Sequence, residues 1–353
     1  MNSPSQPASR KRAKTTSIDI AHAAGVSQAT VSRVLRGSPL VNAETRKRVE
    51  EAVRALNYKV DRHASSLRLQ RSGTLALLLF EDPTPDDSHI NPFFLSMLGS
   101  ITRACARAGQ DLLVSFQQLS DDWHADYADS MKADGLILLG YGDYLSYRGK
   151  LEKLVEQGTH FVRWGAVRPN QPGLSIGCDN FHGGQLVGEH LSGLGRNRIA
   201  FLGDASSHYP EFFDRYQGCD AALHAVGLAL DPALQVDAQS AEDDGYAAAR
   251  ELLDRGAAFD AVFAASDLIA IGAMRALAEA GLQVPRDVAV VGFDDLPTAR
   301  SASPALTTVS QDTSRAGALL VETLMKRVQD QPADSFMLPA KLVVRRSSSP
   351  DAG

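Results

Sequence analysis

Residues 17–58 read SIDIAHAAGVSQATVSRVLRGSPLVNAETRKRVEEAVRALNY. Apolar residues recur at helical spacing before Gly25, and a glycine can take the positive φ that a sharp turn requires. Ser27 follows as a favoured helix cap, and a second helix is predicted over 28–36. A third helix is predicted after Asn42, another favoured cap, because apolar residues again form a stripe. Two helices joined by a tight turn indicate a helix-turn-helix domain.

The exposed face of the second helix predicts DNA contact. In a helix-turn-helix the second helix lies in the major groove, and its first residues reach the base edges. Gln28 can pair bidentately with adenine, Ala29 can touch a thymine methyl, and Arg33 can fork onto guanine. The DNA-binding candidates in this domain are Ser27, Gln28, Ala29, Thr30, Ser32, Arg33 and Asn42. On spacing alone, a small helical bundle without a DNA role is an equal alternative.

The residue types in these helices are more specific evidence than the spacing of their apolar positions. The runs GVSQATVSRVLRG (25–37) and ETRKRVEEAVRALNY (44–58) resemble the DNA-binding domain of the LacI/GalR family of lactose and galactose repressors. The resemblance implies a transcriptional regulator, and no enzyme, that binds a pseudo-palindromic operator as a homodimer. It also implies an α/β core of two lobes, similar to periplasmic binding proteins, with a small-molecule effector between them.

Charge is distributed unevenly along the 353 residues. The chain has 36 basic and 42 acidic residues, of which 14 basic and only 5 acidic ones lie in residues 1–71. A basic N-terminal part on an acidic body favours DNA contact at one end of the molecule. The three cysteines are far apart and predict neither a disulfide framework nor a metal site. We find no apolar signal segment and no membrane-length apolar run, so we expect a cytoplasmic protein.

A short linker follows the first domain. Residues 61–71 read DRHASSLRLQR and, as an isolated helix, are too short to be stable in water. In the resembled family this segment is a hinge helix that folds on DNA, where a leucine enters the minor groove; Leu67 matches it and Arg68 follows. Such apolar wedges kink the duplex. Departures from the family pattern at Val60, Asp61 and Ser65 weaken the match, and a plain linker is the alternative.

From residue 73 onward, continuous apolar runs alternate with helical patterns. The runs include LALLLF, GLILLG, RIAFLG and VAVVGF, which are typical of buried parallel strands. Alternation of this kind predicts a doubly wound α/β fold, and its extent predicts two lobes with lobe crossings near 171–175, 301–306 and 331–336. We therefore divide the chain into a disordered tail (1–16), a helix-turn-helix domain (17–60), a hinge helix (61–72) and an effector-binding core of two lobes (73–349).

Doubly wound folds bind ligands at the carboxyl ends of their strands, and the residues found there suit a sugar. Asp, Arg and Asn pair with hydroxyls, while aromatic faces cover the apolar side of a ring. Arg215 also matches the family's Arg-x-x-Gly, whose arginine binds the effector. The effector-binding candidates are Asn91, Phe93, Phe94, Trp164, Arg215, Ser266, Asp267 and Asp294. Structural alternatives stay open: a helix cap for Asp267, core packing for the phenylalanines, and a surface ion pair for Arg215.

These observations predict a repressor of carbohydrate-use genes that responds to a sugar and needs no cofactor or metal. A nucleobase or other non-sugar effector is the main alternative. A periplasmic solute-binding protein is disfavoured by the basic helix-turn-helix. A serine hydrolase using Ser175 in GLSIG is disfavoured because a loop, rather than a strong strand, precedes that motif.

Overall fold

The computed structural model describes residues 15–35, 37–58, 71–80, 90–116, 122–140 and 142–349. The chain divides into two compact units, Met1–Gln70 and Arg71–Gly353. The predicted hinge contacts at Leu67 and Arg68 lie outside the described residues, as does nearly all of the predicted tail. None of the described helices is long and apolar enough to cross a membrane.

The first unit contains the three predicted helices. They are α1 (Ser17–Ala24), α2 (Gln28–Leu35) and α3 (Ala43–Ala55). Helix α1 begins at a capping box, in which Thr16 and Asp19 exchange hydrogen bonds between side chain and backbone. It ends at Gly25, whose φ of 61° provides the predicted turn. A small apolar core holds the helices together: Ile20, Ala21, Ala24, Val31, Val34, Val49 and Ala52. The predicted helix-turn-helix is thereby confirmed.

The second unit is built on two six-stranded sheets. The strands of the first sheet are β1 (Thr74–Leu79), β2 (Asp111–Phe116), β3 (Gly135–Leu139), β4 (Phe161–Trp164), β5 (Leu174–Cys178) and β11 (Phe336–Leu338). The strands of the second are β6 (Ile199–Leu202), β7 (Gln235–Val236), β8 (Ala261–Ala264), β9 (Ala289–Asp294), β10 (Thr307–Ser310) and β12 (Lys341–Val343). In the first sheet the strand order is β11-β5-β4-β3-β1-β2, and in the second it is β12-β10-β9-β8-β6-β7.

Among the described strands, every pairing is parallel except that of β10 with β12. The helices that connect them are α4 (Pro92–Arg107), α5 (Tyr144–Glu156), α6 (Asn180–Gly193), α7 (Pro210–His224), α8 (Glu242–Asp254), α9 (Asp267–Glu279), α10 (Pro297–Ser301) and α11 (Thr313–Val328). The predicted fold class, an all-α domain followed by two lobes with parallel doubly wound sheets, is confirmed.

The chain crosses between the lobes at other places than predicted. Strand β5 belongs to the first sheet, whereas α6 packs on α7 and β12 of the second lobe, so the first crossing follows Cys178. The second crossing lies between β10 and α11, and the third between β11 and β12. The predicted crossings near 171–175, 301–306 and 331–336 were therefore wrong. Each true crossing comes after a strand, because the carboxyl ends of the strands face the other lobe.

Helices α6 and α7 approach each other unusually closely. A Cβ on Gly218 would lie 1.9 Å from the carbonyl oxygen of Phe181, and one on Gly184 would lie 2.1 Å from that of Arg215. Only glycine permits this backbone contact. The pairing matters for function because it sets the distance between Asn180, at the start of α6, and Arg215 in α7.

Candidate functional sites

Helix α2 presents a polar face to solvent. Gln28, Ala29 and Arg33 are exposed, whereas Val31 and Val34 point into the small core. The structure thus brings the three predicted base-reading residues to one accessible surface. A basic residue and an amide at this position can address the donors and acceptors of the major groove.

The other predicted residues of this surface also support the local fold. Ser27 Oγ accepts a hydrogen bond from Thr30 N over 3.2 Å and lies 2.9 Å from Thr30 Oγ1, so these two residues begin helix α2. Asn42 Oδ1 accepts from Thr45 N over 2.8 Å and caps α3. Ser32 is half-buried. Capping and DNA contact are compatible, since a capping side chain retains further donors or acceptors.

A side-chain hydrogen bond between helices α1 and α2 was not predicted. Gln28 Nε2 donates a hydrogen bond to Ser17 Oγ over 2.8 Å, which joins the first residue of α2 to the first residue of α1. The sequence offered no signal for it, because the two residues are eleven positions apart and meet only when the helices pack.

Two buried carboxylates mark the cleft of the second unit. Asp267 begins α9 and accepts hydrogen bonds from Leu296 N over 2.7 Å and from Thr308 Oγ1 over 2.5 Å. Asp294 ends β9, and its Oδ1 accepts from Gln311 Nε2 over 2.6 Å. Asp294 Oδ2 is buried and accepts no hydrogen bond from any described residue. The site therefore contains one carboxylate oxygen that lacks a donor.

Burial disfavours the charged form of both acids. It raises the pKa of Asp294 to about 7, although the nearby Arg215 guanidinium opposes the shift. Burial, followed by repulsion from Asp294, also raises the pKa of Asp267 well above its usual value. The two carboxylates thus avoid carrying full charge together near neutral pH.

Arg215 is fully buried, so the surface ion pair considered above does not apply. Its Nε donates to Asn180 Oδ1 over 2.9 Å, and its Nη1 donates to the carbonyl oxygen of Ala265. The guanidinium lies 3.7 Å from the centroid of the Phe293 ring, a cation–π contact. Helix α6, the residue that follows strand β8, and strand β9 therefore hold the arginine in one orientation beside Asp294.

A relay of hydrogen bonds crosses from one lobe to the other. Asn91 caps α4 in the first lobe, and its Nδ2 donates to Ser240 Oγ of the second lobe over 3.0 Å. Ser240 Oγ donates in turn to Ser266 Oγ over 2.9 Å, and Ser266 caps α9. The predicted residues Asn91 and Ser266 are thus brought together through Ser240, which sequence reasoning missed.

The predicted aromatic residues lie mostly in the core. Phe93, Phe94 and Trp164 are buried; the ring of Phe93 lies 5.3 Å from that of Phe94 and 5.9 Å from that of Trp164. Phe93 also lines a cavity of about 450 Å³ between the lobes, to which Asp294 belongs. Phe93 is thus the predicted aromatic residue that borders this cavity, whereas Phe94 and Trp164 pack against it in the core.

Polar residues that sequence reasoning missed line the same cavity. They are Ser96, Arg300, Ser310, Gln311, Asp312, Thr313, Ser314 and Lys341. Gln311 had a weak signal, since it follows β10, a short strand with no apolar run. The cavity combines donors and acceptors with one aromatic face, which suits a compact hydroxylated ligand.

Two other expectations concern enzyme and metal chemistry. Ser175 lies buried in the middle of strand β5, and its backbone N–H donates to Ser335 Oγ over 3.0 Å. A nucleophile elbow would instead place it on a turn between strand and helix. Among the residues that the structure describes, no group of three or more His, Cys, Asp or Glu side chains could hold a metal ion.

Comparisons with known proteins match both the N-terminal domain and the lobed unit to known families. Residues 17–61 match the model of bacterial regulatory proteins of the lacI family, and residues 189–348 match a periplasmic-binding-protein-like domain. The chain is 32% identical over 344 residues to the HTH-type transcriptional regulator CelR of Thermobifida fusca, covering 96% of this chain and 99% of CelR. It is 29% identical to the HTH-type transcriptional repressor PurR of Histophilus somni, covering 93% and 97% of the two chains.

Solved structures give the same result. A complex of the transcriptional regulator CelR with cellobiose matches with a TM-score of 0.69 and 31% identity, over 95% of this chain and 100% of that one. The Lac repressor dimer bound to operator and the anti-inducer ONPF matches with a TM-score of 0.78 and 27% identity, over 95% and 99%.

Proposed function

Because the chain belongs to the LacI family of DNA-binding transcriptional regulators, which are not enzymes, we propose that it represses carbohydrate-use genes and that a neutral sugar controls its operator binding. The DNA-reading residues are those of helix α2. The sugar binds in the cavity between the lobes, against Asp294 and with cover from Phe93, while the buried Arg215 acts on it through the neighbouring Asp294.

The buried Oδ2 of Asp294 carries this proposal. A buried carboxyl oxygen without a hydrogen-bond partner costs free energy, so a ligand that supplies one hydrogen bond there is favoured. A hydroxyl can donate to the ionised carboxylate and accept from the protonated acid, which suits a group whose pKa is raised to about 7. A sugar hydroxyl supplies that bond and can accept another from a neighbouring donor. An anionic ligand would instead raise further the free-energy cost of ionising the buried Asp267 and Asp294, whereas a neutral hydroxyl adds no charge beside them.

The alternative effector is a nucleobase, as the name of the PurR relatives suggests. A flat purine ring favours extended aromatic surface. Among the described residues that line this cavity, Phe93 is the one aromatic residue, so the cavity suits a purine less well than a sugar. The cellobiose in the CelR complex is a neutral sugar, the class of ligand that we propose.

Coupling between the two sites follows from the chain order. The segment 61–72 joins the DNA-binding unit to the lobes, and we propose that Leu67 and Arg68 contact the operator when it folds as a hinge helix. An effector that changes the angle between the lobes would displace this segment. Couplings of this kind are typically about 1–3 kcal/mol. A homodimer would place two such segments on one pseudo-palindromic operator.

A thermal-shift screen tests the effector class. Mono- and disaccharides, sugar phosphates, nucleobases and amino acids are each added to the full chain. We expect a sugar to raise the melting temperature, because a ligand at a hundredfold excess over its Kd stabilises the folded state by about 2.7 kcal/mol. A response to nucleobases or phosphorylated compounds alone would contradict the sugar proposal.

Arg33→Ala tests the reading of DNA. We expect specific operator binding to weaken by about 1–3 kcal/mol, since a bidentate contact to guanine is lost, while binding to random DNA changes little. Fluorescence anisotropy on operator and random duplexes measures both affinities. The matched control is Arg48→Ala, an exposed basic residue of α3, which should weaken the two affinities alike if it contacts phosphate. Equal losses for Arg33→Ala on both duplexes would argue against base reading.

A further inference from the structure

The hydrogen bond between Gln28 and Ser17 restrains one side chain of the proposed DNA-reading surface. Gln28 is exposed at the start of α2, whereas Ser17 is half-buried at the start of α1. An exposed glutamine normally samples many rotamers, and ordering it on binding costs affinity. The 2.8 Å bond from Nε2 to Ser17 Oγ selects one arrangement before DNA arrives.

Ser17 is a firm anchor for this bond. The capping box of Thr16 and Asp19 fixes the first turn of α1, in which Thr16 N donates to Asp19 Oδ2 over 2.7 Å. The same helix is held to the unit by buried Ile20 and Ala24. Because helix α1 is held in place, the Gln28 amide can change its position only when its hydrogen bond to Ser17 breaks.

The bond also decides which groups of the amide remain for DNA. A glutamine amide has one carbonyl oxygen and two N–H groups. Ser17 takes one N–H of Gln28, so the oxygen and the second N–H remain. In the major groove adenine offers an amino donor beside the N7 acceptor, whereas guanine offers two acceptors and thymine an acceptor and a methyl group. The remaining pair on Gln28 therefore complements adenine.

We propose that Ser17 is a specificity-determining residue, which positions the Gln28 amide so that it selects adenine at one base pair of each operator half-site. Ser17 acts through Gln28 and makes no base contact of its own. This inference rests on the proposed reading role of Gln28.

The test compares base discrimination in the unaltered full chain and in four variants of it. An operator is first selected from a random library by the unaltered protein, and Kd values are measured by fluorescence anisotropy on duplexes with each base pair at each position. Gln28→Ala identifies the position that Gln28 reads. At that position we expect the unaltered protein to prefer adenine by about tenfold or more, a discrimination typical of one bidentate contact.

Ser17→Ala should reduce the preference for adenine at that position about three- to tenfold and leave the position read by Arg33 unchanged. Ser17→Thr keeps the hydroxyl and should keep the preference. The double variant Ser17→Ala/Gln28→Ala should match Gln28→Ala alone, since both changes remove the same interaction. Circular dichroism melting checks that each variant is folded.

Three outcomes would overturn the proposal, and they are distinguishable. If Gln28→Ala changes no single position, both the reading role of Gln28 and the role of Ser17 fail. If Gln28→Ala acts at one position while Ser17→Ala keeps the full preference there, only the role of Ser17 fails. If Ser17→Ala weakens binding equally at all positions, Ser17 contacts phosphate or supports the fold instead.

Discussion

Arg215→Ala should remove the response to effector and lower the free energy of unfolding of the lobed unit by about 3–5 kcal/mol. The side chain is fully buried, so truncation leaves a cavity beneath Phe293. It also leaves Asn180 Oδ1 without its donor and removes the positive charge beside Asp294. Urea unfolding of the full chain measures the loss of stability. The thermal shift produced by the effector measures the loss of response.

The control for this prediction is Arg148→Ala. Arg148 lies on the surface of α5, where its Nε is 2.9 Å from Glu152 Oε1. An exposed pair of this spacing contributes only about 0.3–0.5 kcal/mol. Arg215→Lys is a second test, since it keeps the charge and loses the fork that reaches Asn180 and Ala265. If Arg215→Ala were as stable as Arg148→Ala and still responded to effector, the arginine would lie outside the site.

Gly218→Ala should destabilise the lobed unit by about 1–3 kcal/mol or more, because its Cβ would meet backbone and no flexible side chain could yield. The Cβ would lie 1.9 Å from the carbonyl oxygen of Phe181 and 3.0 Å from the backbone nitrogen of Gln185. Helices α6 and α7 would have to separate, which would also displace Asn180 from Arg215. We therefore expect weaker effector binding in the molecules that remain folded.

Gly193→Ala is the matched control for this change. Gly193 is the last residue of α6, the helix against which Gly218 packs, and a Cβ there would meet no atom within 4 Å. Replacing a helical glycine in open space stabilises a protein by about 0.5–1 kcal/mol. The two alanine variants should therefore shift the urea midpoint in opposite directions. A similar midpoint for both would show that the helices adjust without cost.

Local patterns were sufficient to predict the helices of the first unit and most strands of the second. Gly25, the caps at Ser27 and Asn42 and the apolar runs each act within a few residues, and the structure has helices and strands where they predict them. Strand β10 was missed because the sequence TTVS at 307–310 contains one strongly apolar residue. Gln311, which immediately follows that strand, was missed with it.

The partners of the site residues could not be predicted, because they depend on how distant elements pack. Arg215 was found through the family's Arg-x-x-Gly pattern, yet its hydrogen bonds go to Asn180 and Ala265 on two other elements. The raised pKa of Asp294 likewise comes from burial, which a single sequence does not specify. The predicted crossings failed for a related reason, since apolar runs mark where strands lie and not which lobe follows them.

The central claim is that a sugar in the cleft controls operator binding through Asp294. Operator affinity is measured by fluorescence anisotropy with and without the sugar that the thermal screen identifies, for the unaltered chain and for Asp294→Asn. The raised pKa of Asp294 indicates that its site accepts a neutral side chain, so this variant should fold and bind the operator normally. We predict that the sugar changes the affinity of the unaltered chain about 5- to 150-fold and leaves that of Asp294→Asn unchanged. A sugar that saturates the protein without changing operator affinity, or an equal response in Asp294→Asn, would contradict the account.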